Sequence, residues 1–344
     1  MYVPPRPKSS DDPNYAIRIA LASVLSCIVV AIIQPSLPMM LPALTIGLIG
    51  SIRRGFDAKR AFGGPIALIV SMSVFSILVS SFHAMPIVLL TLTLGICTIG
   101  YYIILQTGNP AGMLILIGIV LMSSVGLKSI EAMEIMRDTF IEACLIACII
   151  IPVCYAIIPP KNHQPLEDEC LQDPFGHHWR RAFIRAGVLF LLIIWLYTVL
   201  DSANIMLAIA AVFTLVFPTR QQRNSEAKER ILASLIGGGL ALSILGILTI
   251  TAHLSILLIL IALAGLYLGN KMMHGTYPPM TYQFALSTML VLIFGGLSTQ
   301  EPLSATTLRV CLTIVGAISA TILTTILEII LLPSNNPLLK LDHH

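Results

Sequence analysis

The sequence predicts an all-α polytopic membrane protein. About twelve transmembrane helices are expected as two parallel six-helix repeats, related by a pseudo-two-fold axis along the membrane normal. Three observations predict this. Hydrophobic residues fill 56% of the 344 positions and charged residues only 11%, where a soluble globular chain carries roughly 25% charge. Apolar runs of spanning length recur from end to end. The chain also matches itself without a gap at an offset of 167 residues, the separation of Arg18 and Arg185.

Composition alone excludes several classes. With a mean hydropathy of +0.91, a water-facing surface would be apolar and would aggregate. Soluble enzymes, nucleic-acid binders and disulfide-stapled secreted domains fall together. The net charge of +3 is too small to imply a polyanionic partner. Of the seven Cys, only Cys170 lies in a polar loop, and no CxxC spacing occurs. They read as small packing residues, not as a disulfide or metal framework.

Helices that cross ~30 Å of hydrocarbon need ~20 apolar residues. The first span, 15–34, is followed by QPSLP instead of a small-residue cleavage site, so it reads as a retained anchor. A short second span, 36–52, runs into the basic loop of Arg53, Arg54, Lys59 and Arg60. Spans at 61–82 and 84–105 follow, and QTGNPAG then breaks the chain before a marginal fifth span at 111–127. A sixth span covers 138–158. The second half repeats the order at 182–200, 203–218, 231–251, 253–270, 277–297 and 304–332, with HGTYPP before the eleventh. The expected organisation is a cytoplasmic segment 1–14, a first repeat 15–160, a cytoplasmic linker 161–181, a second repeat 182–332 and a cytoplasmic tail 333–344.

Charge sets the orientation. Of 20 Lys and Arg, only Lys128, Arg137 and Arg309 fall on one side; the other 17 lie opposite. The positive-inside rule puts both termini in the cytoplasm. The 167-residue offset superposes Arg53 on Arg220, Gly108 on Gly275, Met39 on Met206, Met113 on Met280, Thr139 on Thr306 and Cys144 on Cys311. Six spans per repeat give both halves the same direction, hence a parallel repeat.

Few residues carry chemistry. GxSxG, HExxH, Walker A and strand-linked GxGxxG patterns are all missing. No enzyme, cofactor or metal site is expected. His163, His177, His178 and Cys170 in the linker match no zinc spacing. Charges at membrane depth are the better candidates. Arg18 and Arg185 stand one turn into spans one and seven. They either snorkel to headgroups or form a forked anion site. Arg53 and Arg220, also duplicated, read as positive-inside anchors. Asp201 either caps span eight or binds a proton. Glu328, late in span twelve, either pairs with a cytoplasmic Arg or exchanges protons. GNPAGM (108–113) and GTYPPM (275–280) superpose by repeat. Gly108, Asn109, Gly275 and Thr276 form either ordinary turns or helix N-termini that attract anions.

Four features now stand together: an Arg-started first span, a short second span, a basic cytoplasmic loop, and Arg230-ILASL-IGGG with Gly237, Gly238 and Gly239. In this the chain resembles the fusaric acid resistance and aromatic acid exporter family, most clearly over 181–297 and less so over 15–125. Larger members carry a soluble domain between the halves, where this chain has only the linker 161–181. The resemblance implies export of small aromatic carboxylates and related compounds, commonly with a periplasmic adaptor of the membrane-fusion type. A related plant branch conducts organic anions as channels. The expected function is a proton-driven secondary exporter of small organic anions in a bacterial inner membrane, and the alternative is a passive anion channel on the same scaffold. The expected contacts are substrate, lipid and the adaptor; a homo-oligomer is compatible with the pattern, and nucleic acid is not expected. A lipid-acting membrane enzyme would need a cluster of His or Asp at one interface, and the spans offer only His83 and His253.

Overall fold

A computed structural model describes residues 6–7, 12–52, 55–108, 111–127, 129–161, 178–199, 220–251 and 253–298, with scattered positions between 307 and 326. The described residues form helices α1 (Tyr15–Ile33), α2 (Met40–Ile49), α3 (Ala58–Phe82), α4 (Pro86–Thr107), α5 (Ala111–Gly126) and α6 (Ile130–Ile157). In the second half lie α7 (His178–Val199), α8 (Arg220–Ile250), α9 (Leu254–His274) and α10 (Pro279–Leu297). Seven helices among the described residues are long and apolar enough to cross a membrane. A hydrocarbon layer offers the backbone no partners, so apolar runs close their hydrogen bonds internally as helices. The chain is a multi-pass membrane protein.

Local chemistry sets the breaks. Gln34 takes a left-handed φ of 51° and returns its N–H to Val30, ending α1 before Pro35. Asp57 starts α3 by accepting from the Lys59 amide at 2.9 Å. Pro86 sits in the first turn of α4, and Gly108, at φ 69°, closes its end. Ser129 caps α6 by accepting from the Ala132 amide at 3.2 Å. Each uses a donor or conformation that the helix end would otherwise lack.

Several boundaries depart from the sequence expectation. The second span is only the ten-residue α2, with turns across 36–39 ahead of it. At 1.5 Å per residue, that helix is roughly 15 Å long and cannot span alone. It is tolerated because α1, α6 and α10 pack around it. The third span begins at Ala58 instead of 61, and the sixth at Ile130 instead of 138. The ninth extends back to Arg220, so the charged run 220–230 is helical. The linker's last residues, His178–Arg181, already belong to α7. The eighth span lies outside the described residues, as does all of the twelfth except a few helical positions.

Two apolar clusters form the interior. One joins α3, α4, α5, α7 and the first half of α6 through residues such as Met72, Tyr101, Leu116 and Phe140. The other joins α1, α2, α8, α9, α10 and the second half of α6 through Ile19, Ile151, Ile261 and Leu286. Exposed stripes complement them: Ile66, Val70, Val74 and Ile77 on α3, and Leu145, Ile149, Val153 and Ile157 on α6. The spacing of three to four residues puts each set on one helix face, turned to lipid.

Helix pairing repeats along the chain. α1 packs on α9 and α7 on α4; α3 packs on α5 and α8 on α10; α4 packs on α5 and α9 on α10. Each second pair follows from the first by the 167-residue offset. Without a hydrophobic drive between helices in lipid, close approach needs small residues. A Cβ at Gly269 would lie 2.9 Å from the Ala16 Cα, and one at Gly265 2.9 Å from the Ala20 Cα. On the α8–α10 seam, a Cβ at Gly237 would lie 2.4 Å from the Ala285 carbonyl oxygen. Gly269→Val should therefore force α1 and α9 apart and cost about 1–3 kcal/mol. Gly63→Val, with nothing within 4 Å of its Cβ, should leave thermal stability in detergent nearly unchanged. Equal melting temperatures for the two variants would contradict the small-residue seam.

Candidate functional site

Lipid-embedded helices can hold a cation only where the fold supplies anions, dipoles or rings. Three arginines, Arg18, Arg181 and Arg185, are among the largest fully buried side chains. Arg18 lies one turn into α1. Its Nη1 donates to Asp12 Oδ2 at 2.8 Å and its Nη2 to Oδ1 at 3.1 Å, a two-pronged pair with both side chains at most 1% exposed. Its Nε donates to the Ile158 carbonyl at 3.1 Å. The guanidinium also stacks over the Tyr155 ring, 4.1 Å from its centroid.

Around this pair the chain is tied into one end of the bundle. Tyr155 donates its hydroxyl to the Ile52 carbonyl and Tyr15 donates to Gly50, each at 3.2 Å. Phe56 packs on Tyr155 with centroids 5.4 Å apart. Arg6 donates to the carbonyls of Gly275 and Tyr277. The segment before α1 is thus fastened both to α1 and to the turn between α9 and α10. Arg18 does not snorkel outward, because its fork is filled from within the fold.

Arg185 is equally buried, on α7. Its guanidinium lies within electrostatic reach of the Tyr101 hydroxyl on α4. Tyr101 is fully buried, and its hydroxyl has no hydrogen-bond partner among the described residues. The two duplicated arginines therefore sit on equivalent seams, α1 on α9 and α7 on α4, in separate apolar clusters.

The paired glycine turns differ. Gly108 is left-handed, whereas Gly275 has a φ of −70° and an extended ψ of 163°. A Cβ at Gly275 would lie 2.4 Å from both the Lys271 carbonyl oxygen and the Tyr282 ring, so only glycine fits there. Thr276 is exposed. α10 opens on Pro278 and Pro279, neither with an N–H, and the Thr281 amide donates to the Pro278 carbonyl. Few donors remain at that helix start. Asn109, Asp201, Glu328, Arg53 and Cys170 lie outside the described residues, and for Arg220 only the helical backbone is described.

Residues that sequence reasoning passed over complete the picture. Asp12 sits in DDPNY, which reads as a solvated lead-in; only tertiary folding buries it. Tyr155 and Tyr101 lie within apolar runs and carry no local mark of a polar task. Gln283 on α10 donates its Nε2 to the Gly47 carbonyl at 3.0 Å, stitching α10 to α2. Arg230 stacks over Phe284 at 3.2 Å, so the Arg-to-Gly run packs along α10. Among the described residues, no group of three or more His, Cys, Asp or Glu is placed to hold a metal ion.

The comparisons with known proteins bear on the same region. Residues 191–323 match the family model described as fusaric acid resistance protein-like. No curated protein matches the chain, and no solved structure does. The match runs from within α7 through α8, α9 and α10, so the second half of this membrane protein carries a fusaric acid resistance protein-like region.

Proposed function

We propose that the chain is a secondary exporter of small organic anions, aromatic carboxylates foremost, in a bacterial inner membrane with both termini cytoplasmic. In this reading it is built from twelve spans as two parallel repeats. Repetition of the helix pairs at the 167-residue offset supports that architecture. One observation carries the functional reading: two fully buried arginines, Arg18 and Arg185, stand at the same place on equivalent seams. A carboxylate entering a low-dielectric interior loses hydration, and a fixed guanidinium offsets that loss. The fusaric acid resistance protein-like region points the same way.

Arg18 and Arg185 each serve as an anion-binding cation on their own seam, the substrate displacing Asp12 at Arg18, and Gly108, Asn109, Gly275 and Thr276 belong to the cytoplasmic approach. Asp201 and Glu328 carry the coupled proton. A periplasmic membrane-fusion adaptor docks on the exposed acidic start of α6, at Glu131 and Glu134. The test is uptake of benzoate into proteoliposomes under an imposed pH gradient. Uphill accumulation that collapses with a protonophore is the expected result. Downhill flux indifferent to the pH gradient would favour the channel, and no flux in either mode would end the anion reading.

A further inference from the structure

The units that pack together are not the two halves of the sequence. α1 lies on α9 and α7 on α4, so each half lends its first helix to the other. One bundle therefore holds α3, α4, α5 and α7, and the second holds α1, α8, α9 and α10. Among the described residues, no helix of one bundle packs extensively on a helix of the other. The short α2 and the long α6 make the connection, and the first turn of α3 reaches the second cluster through Ala61.

The seams inside the bundles are the tight ones. A Cβ at Gly112 on α5 would lie 2.6 Å from the Gly100 carbonyl oxygen on α4, and one at Gly265 or Gly269 would press on the α1 backbone. Backbones this close leave no room for sliding, because a packed seam does not deform continuously. Between the bundles the contact is softer. A Cβ at Gly64 on α3 would lie 3.1 Å from Leu48 Cδ2 on α2, the far end of a flexible side chain. α2 itself is tied to the second bundle. Gln283 on α10 donates to the Gly47 carbonyl at 3.0 Å, and Tyr15 on α1 donates to the Gly50 carbonyl at 3.2 Å. α6 changes sides along its length: Met133, Met136 and Phe140 bury in the first cluster, and Ala147, Ile150 and Ile151 in the second. Just past that crossover, Pro152 deprives the Cys148 carbonyl of its helical donor. A proline of this kind is the usual origin of a bend in a helix.

We propose that transport moves the two swapped bundles against each other as rigid bodies, with α6 as the hinge and α2 riding with the second bundle; the sequence halves are not the moving parts. Rocking of one bundle against another is a common way to alternate access. A helix shared by both bodies absorbs the rotation where its hydrogen bonding is weakened. This deepens the exporter reading and rests on it.

Two cysteine pairs separate the alternatives in the full chain, reconstituted in proteoliposomes. Leu48→Cys with Gly64→Cys links the two bundles inside one sequence half. Tyr102→Cys with Trp179→Cys links the two sequence halves inside one bundle, where the native rings stand 5.4 Å apart. A reducible bis-methanethiosulfonate reagent closes each link, and the unsubstituted chain treated alike sets the background from native Cys. The first link should lower benzoate flux by about ten-fold or more, with recovery on reduction, and the second should leave it within about two-fold. The reverse pattern, or equal effects of the two links, overturns the proposal. Hydrogen exchange in detergent gives a readout independent of flux. Gly269→Val loosens the α1–α9 seam, so exchange should quicken in α1, α8, α9 and α10 while α7 keeps its protection. Loss of protection in α7 together with α8–α10 would make the sequence half the unit and sink the proposal. If the unsubstituted protein carries no benzoate, the exporter reading fails, and the exchange pattern alone decides whether the swapped bundles are the units of the fold.

Discussion

Asp12→Asn should destabilise the detergent-solubilised protein by about 3–5 kcal/mol, as expected when one partner of a buried ion pair is removed. Arg18→Gln should cost less, about 1.5–3 kcal/mol, the value of the charge-assisted hydrogen bonds lost. The asymmetry follows from where each residue sits. Arg18 belongs to the first turn of α1 and is held by the Ile158 carbonyl and the Tyr155 ring. It cannot leave when Asp12 loses its charge, so a cation stays buried without its counter-ion. Asp12 lies in the segment before α1, which can swing into water when Arg18 is replaced. That exit forfeits the packing of the segment but spares a naked carboxylate. Asp12→Asn combined with Arg18→Gln should therefore cost less than the two single changes added together, by about 0.5–3 kcal/mol of coupling. Unfolding by SDS titration in mixed micelles measures all three. A larger loss for Arg18→Gln than for Asp12→Asn would refute the argument.

These two residues also mark what the sequence could and could not reveal. Arg18 was legible, because a charge inside an apolar run stands out and the offset to Arg185 duplicates it. Asp12 was not, because an acidic residue next to Pro and Asn ahead of a helix reads as solvated. Its burial comes from long-range packing that links the segment to the end of α6 and, through Arg6, to the α9–α10 turn. The same division runs through the fold. Hydropathy located the first, third, fourth and tenth spans within a few residues, since lipid forces each apolar run to close its own hydrogen bonds, but it started the sixth eight residues late, at 138 instead of Ile130. It overstated the second span, because mean hydropathy ignores the backbone: Pro35, Pro38 and the left-handed Gln34 keep 34–39 out of the helix. It understated the ninth, where the polar run 220–230 is helical despite its charge. Small-residue seams were half visible. Gly265 and Gly269 have helical spacing on the page, but their partners Ala16 and Ala20 emerge only once α1 and α9 meet. Tyr101 had no visible mark at all, since a lone Tyr in an apolar span is ordinary core until its hydroxyl is found without a partner.

Replacing Arg18 and Arg185 together by Gln should abolish export of an organic anion while the protein still reaches the membrane. Gln keeps hydrogen-bonding capacity and approximate length but removes the charge and the fork. Each charge-assisted contact is worth about 1.5–3 kcal/mol, which is about 10- to 150-fold in affinity. Losing both takes transport below detection in a proteoliposome assay. The single variants should not be equal. Arg18 is already engaged by Asp12 at 2.8 and 3.1 Å, so a substrate carboxylate has to compete with an internal one there. The 167-residue offset puts Trp179 at the position equivalent to Asp12, so that particular acid is not duplicated in the second half. Arg185→Gln should consequently lower transport more than Arg18→Gln, although Arg18→Gln disturbs the N-terminal fastening as well. Lys at either position keeps the charge without the planar fork and should fall between Arg and Gln. The stability cost of Arg18→Gln is separable from its effect on transport by adding Asp12→Asn. If the transport loss reflects the missing cation rather than lost stability, Arg18→Gln combined with Asp12→Asn should transport no better than Arg18→Gln alone. Should the double Gln variant carry benzoate at the wild-type rate, the two arginines are structural anchors, and the anion has to be held at the turns around Gly108 and Gly275.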